Sequence, residues 1–128
     1  MSRRDDPIAW VDLAEQDYKT AQLVLARSKP FYRIVCFHAQ QSAEKYLKSL
    51  LVERKSDFPK THDLVRIKSL CEDAAFLIPV SQELLQSLTM YAAEVRYPGI
   101  SVSRQDAEEA LATARAVRRF VRKLFGLH

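Results

Sequence analysis

Residues 31–54 read FYRIVCFHAQQSAEKYLKSLLVER, and apolar positions recur through them at steps of three and four. Tyr32, Cys36, Ala39, Ala43, Tyr46 and Leu50 make one stripe, the pattern of a helix with a buried face. Ala39 and Ala43 are small, so a neighbouring helix can come close there. His38, Gln41, Lys45 and Lys48 form a polar stripe on the opposite side. It reads either as a solvated side or as polar groups bonded across a helix interface or to a ligand, because a partly buried polar group must find a partner.

The same period continues on both sides of this segment. Asp6-Pro7 is an N-cap and first-turn pair, followed by Val11, Ala14, Tyr18, Ala21 and Leu25 on one helical face. Ser28-Lys29-Pro30 ends that helix. Beyond the linker from Lys55 to Lys60, Thr61 reads as an N-cap with Asp63 in the first turn of a short helix carrying Leu64, Ile67, Cys71 and Ala74. Ser81 caps a fourth helix with Leu84, Leu88, Tyr91 and Val95 on one side, stopped by Pro98-Gly99. Ser103 and Asp106 resemble a capping box before Ala107, Ala110, Ala114, Val117, Val121 and Leu124, and Gly126 ends this fifth helix. The expectation is a single domain over residues 1–128. It is an all-α, antiparallel up-and-down four-helix bundle with an additional short helix.

Composition excludes several classes of function. The 128 residues suffice for one core, and only two are glycine, too few for a glycine-rich phosphate loop or a dinucleotide fingerprint. No apolar run reaches the roughly 18 residues of a membrane span, and no signal peptide is visible, so a cytoplasmic protein is expected. Cys36 and Cys71 sit in helical patterns and read as buried free thiols. With His38, His62 and His128 they show no ligand spacing, so neither metal nor cofactor is expected.

The formal net charge is +4. On the fifth helix Arg115, Arg118, Arg119, Arg122 and Lys123 fall within an arc of about 140°, opposite Val117, Val121, Leu124 and Phe125. Two explanations fit. Acids at the start of a helix and bases at its end complement its dipole. A basic face also binds RNA or nucleotide phosphates. On the fourth helix Met90, Ala93 and Tyr97 form a second narrow apolar stripe, more than a bundle helix needs, which suits a dimer seam.

FHAQQSAEKYLKSLL (Phe37–Leu51), THDL (Thr61–Leu64) and VRYP (Val95–Pro98), with the opening WVDLAEQDYKTAQLVL, together resemble the HEPN domain family of the prokaryotic, nucleotidyltransferase-associated type. The resemblance covers nearly the whole chain. It implies a helical bundle that pairs as a homodimer and binds nucleotides or RNA. It also implies a minimal nucleotidyltransferase as partner, in some cases as a toxin and antitoxin pair. Catalytic relatives are metal-independent ribonucleases in which an arginine is followed, after four to six residues, by a histidine. Arg96 matches that arginine, but the stretch Ile100 to Ser103 holds no histidine. Cleavage needs a group that takes the 2′-hydroxyl proton near neutral pH, and serine supplies none.

The expected function is therefore a homodimeric nucleotide- or RNA-binding partner of such an enzyme. Lys45, Arg96, Tyr97, Arg115, Arg118, Arg119 and Arg122 are its binding candidates, and Met90, Ala93 and Tyr97 its interface candidates. The alternatives are a ribonuclease with a variant site built on Arg96 and His38, and a helical adaptor without a nucleic-acid role. Arg96 can also simply cap carbonyls at a helix end. Arg33 and His38 match the catalytic spacing literally, but five steps on a helix part their side chains by about 140°.

Overall fold

The computed structural model describes residues 2–93 and 97–128. Every regular element among them is helical. A 3-10 turn at Arg3–Asp5 leads into α1 (Pro7–Leu25), followed by α2 (Tyr32–Glu53), α3 (Leu64–Asp73), α4 (Gln82–Thr89), a 3-10 turn at Met90–Ala92, and α5 (Arg104–Leu124).

The caps explain most boundaries. The Asp6 carboxylate accepts the Ile8 N–H, with Pro7 at the first helical position. Ser81 accepts from the N–H of Leu84. Ser103 and Asp106 form both halves of a capping box, at 3.1 and 2.9 Å. Ser103→Ala is expected to cost about 1 kcal/mol, read as a lowered urea midpoint at unchanged slope. The start of α3 departs from expectation: Asp63, not Thr61, is its N-cap, accepting from Val65 and Arg66, while Thr61 Oγ1 accepts the Asp63 N–H. Gly126, with φ of +71°, takes the left-handed turn after α5.

Helix α4 is shorter than its periodicity suggests. The Thr89 hydroxyl donates to the Leu85 carbonyl and accepts the Leu64 N–H from α3. Such back-bonding competes with the regular ladder, and the chain tightens into the 3-10 turn at Met90. Among the described residues the bundle thus has three long helices and two short ones. The buried side of α4 carries Leu85 and Leu88, while Leu84 is half exposed. Val95, expected on the same helix, lies outside the described residues.

Helix α2 is the centre of the fold. It packs chiefly on α1 and α5, and also touches α3, α4 and the Met90–Ala92 turn. Thirteen of its residues are buried, among them Gln40, Glu44 and Lys48. Lys48 therefore does not belong to a solvated side. Val11, Ala14, Tyr18 and Ala21 of α1 and Ala107, Ala110, Ala114, Val117 and Val121 of α5 complete the core. The small residues on all three helices let the long elements lie close. Cys36 and Cys71 are free and buried, and burial pushes both thiols up to about 12.

Candidate functional site

Helix α1 is tied to its neighbours by two charged clusters, one on each side of its apolar stripe. In the first, the Asp17 carboxylate stands between His38 and Lys45 of α2. Its Oδ1 lies 2.8 Å from His38 Nδ1 and its Oδ2 lies 2.6 Å from Lys45 Nζ. Asp17 is mostly buried, whereas about a quarter of the His38 and Lys45 side chains remains accessible. His38 and Lys45 are two turns apart on α2, so both reach the same carboxylate. The Phe37 ring meets the imidazole edge-on at 5.4 Å between centroids.

In the second cluster, Arg118 of α5 grips Glu15 of α1 with both arms of its fork, Nε to Oε1 at 2.6 Å and Nη2 to Oε2 at 2.7 Å. The Tyr46 hydroxyl of α2 donates to the same Oε1 at 2.8 Å. Arg122 Nη1 stands 3.8 Å from Oε2, and the Arg118 guanidinium lies over the Tyr18 ring at 4.7 Å. The Arg118 hydrogen bonds outweigh the cost of burial and lower the Glu15 carboxyl from 4.5 to about 2. The same bond raises the Arg118 guanidinium further above its usual range. Burial pushes the Tyr46 phenol up to about 12.

A third cluster ties α2 to the start of α3. Glu44 Oε1 lies 2.7 Å from His62 Nδ1, and Oε2 lies 3.0 Å from Lys48 Nζ. Gln40 Nε2 donates to both Glu44 Oε1 and the His62 carbonyl. At the beginning of α2, the Arg33 guanidinium donates to the carbonyls of Tyr97 and Ile100 and so holds the turn between them. Arg33 and His38 thus reach different partners and do not converge.

These contacts redistribute the basic face of α5. Arg115 donates to the Tyr18 hydroxyl at 2.9 Å, Arg118 is held by Glu15, and Arg122 donates twice to the His128 carbonyl. Arg119 and Lys123 are exposed, and no described residue pairs with either. The four basic residues from Arg118 to Lys123 line a shallow groove together with Gly126, Leu127 and His128. Lys45 is committed to Asp17, Tyr97 is 62% exposed, and Arg96 lies outside the described residues. Met90 is half exposed and Ala93 exposed, and Phe31, Ile34 and Ile100 are exposed apolar residues as well. No group of metal-ligating side chains occurs among the described residues. No helix among them is long and apolar enough to cross a membrane.

Glu15, Asp17 and Tyr46 are the partners that residue spacing alone did not identify. Glu15 and Asp17 flank the buried stripe residues Ala14 and Tyr18 of α1, and an acid on the edge of an apolar seam is the signal that marks them.

Comparison with known proteins bears on the family and the fold. The HEPN domain matches over residues 8–124. The crystal structure of TT1696 from Thermus thermophilus superposes with a TM-score of 0.71 at 26% identity, over 96% of this chain and 98% of that one. ST0689, an archaeal HEPN homologue, superposes with a TM-score of 0.65 at 24% identity, over 97% and 98%. None of the curated proteins compared matches the chain.

Proposed function

The chain belongs to the HEPN domain family, and from that premise we propose that it is a homodimeric scaffold that binds nucleotides or RNA beside a minimal nucleotidyltransferase, as in toxin and antitoxin pairs. The observation that carries this reading is the exposed apolar ground of Met90, Ala93, Tyr97 and Ile100 at one end of the helices. Water contact with several large apolar side chains is unfavourable, and a second copy would remove it. The exposed cations Arg119 and Lys123 supply the phosphate-facing part, since neither is spent on the fold. No histidine follows Arg96 at the spacing of the catalytic relatives, so the role proposed is to hold rather than to cut.

A second reading, ribonuclease activity from a variant site, draws on the imidazole of His38 at the α1–α2 edge, which Asp17 orients as a general base requires.

Binding of a labelled single-stranded RNA, measured against salt concentration, tests the first reading. The Arg119→Glu/Lys123→Glu double variant is expected to flatten the slope of log affinity by about two units, roughly one per lost phosphate contact. An unchanged slope assigns the basic face to solvent. In the same preparation, light scattering is expected to give twice the chain mass, and a monomer overturns the pairing. RNA cleavage that survives a chelator and disappears in His38→Ala favours the second reading.

A further inference from the structure

The Asp17–His38–Lys45 cluster has a geometry that RNA holding does not use. A carboxylate only accepts hydrogen bonds, so its contact with Nδ1 places the imidazole proton there. The lone pair is then left on Nε2, for which no described residue provides a partner. Lys45 occupies the other carboxylate oxygen and prevents Asp17 from turning away. The ring is further fixed against Phe37 and stands on two packed helices rather than on a loop. An imidazole with its proton on the carboxylate side and an unpartnered Nε2 is the form that reacts as a nucleophile.

We propose that His38 Nε2 is a phosphoryl-accepting centre whose donors are small compounds of the phosphoramidate class. In the transfer, the Nε2 lone pair attacks phosphorus and the new N–P bond forms as the donor's P–N bond breaks. The donor nitrogen is already protonated in the zwitterion, so ammonia leaves with that electron pair. The ring becomes an imidazolium, whose Nδ1–H points at the Asp17 carboxylate that balances the new charge. Lys45 adds a second cation on the same rim, so the modified site keeps a positive surplus toward the dianionic phosphoryl group. His62 also meets a carboxylate, Glu44, but it sits outside the helices, and Gln40 shares that oxygen. Asp17 is here a positioning residue. The proposal is independent of whether the chain binds RNA.

The test treats the full chain with potassium phosphoramidate at neutral pH and follows each histidine by mass spectrometry, with the exposed His128 as internal reference. His38 is expected to label at least about tenfold faster than His128, and Asp17→Asn to remove that advantage while His128 is unchanged. Nitrogen NMR of the ring is expected to show the neutral His38 proton on Nδ1 in the native chain, a signature that mere loss of packing would not produce. Lys45→Met, which leaves the carboxylate in place, is expected to slow labelling less than Asp17→Asn. Labelling of His38 no faster than His128, an unaltered rate in Asp17→Asn, or a proton on Nε2 overturns the proposal.

Discussion

Replacing Glu15 with alanine is expected to lower the melting temperature by roughly 10 °C. Three donors converge on this carboxylate: the two arms of Arg118 and the hydroxyl of Tyr46. Removing the acceptor leaves a mostly buried guanidinium and a buried phenol without it, and an uncompensated buried charge costs about 3 kcal/mol. The three residues come from α1, α2 and α5, so their contact joins the three long helices.

The pH dependence separates this cause from lost packing. The Glu15 carboxyl is lowered from 4.5 to about 2, chiefly by the Arg118 hydrogen bonds. The folded chain therefore binds this proton more weakly than the unfolded chain. Its contribution is complete above about 4.5 and is lost as pH falls toward 2. Melting curves of native and Glu15→Ala protein should stand far apart at pH 7 and draw together in acid. A gap that stays constant down to pH 2 would show that the ion pair is not its source. Glu15→Gln, which keeps the shape and one acceptor oxygen, should fall between the two.

Leu47→Ala is expected to cost about 2–5 kcal/mol, enough to remove much of the stability of a domain this size. Leu47 is completely buried in the helix that the other elements surround. Its own carbonyl accepts a contact from the Cys71 thiol of α3 at 3.4 Å, so the α2 backbone is fixed at this point too. The lost side chain leaves a hole that rigid helices on several sides cannot close, and the cost grows with the volume left empty. Urea unfolding is expected to show a large drop in midpoint for Leu47→Ala and about 1 kcal/mol or less for Leu47→Met, which conserves volume. Leu23→Ala, at a position 71% exposed, is the matched control and should lie within about 0.5 kcal/mol of native. If Leu47→Ala behaves like Leu23→Ala, α2 is not the centre of the core.

Helical period, capping chemistry and family were legible in the residues. Three- and four-residue recurrence names the buried stripe of α1 and much of that of α5, because a helix repeats its faces locally. Asp6-Pro7, Ser81 and the Ser103–Asp106 pair act within three residues of themselves, so nothing distant was needed to read them. Thr61 and Asp63 compete for one helix start over two positions, and their order was settled by which side-chain oxygen faces the free N–H groups of the first turn.

The destination of each charge was a different matter. Spacing put Arg115, Arg118 and Arg122 on one polar arc, and it equally put His38 and Lys45 on another. Which of them face water depends on which helix lies alongside, and periodicity carries no information about neighbours. Tertiary packing sets α1 against both α2 and α5, brings Glu15 to Arg118 and Asp17 to His38, and leaves Arg119 and Lys123 outside. The sequence by itself determined that the chain is a helical bundle of the HEPN family, since those signals are local. Only the assembled fold decided which polar side chains hold it together and which stay exposed, since that is a question of distance between residues far apart in the chain.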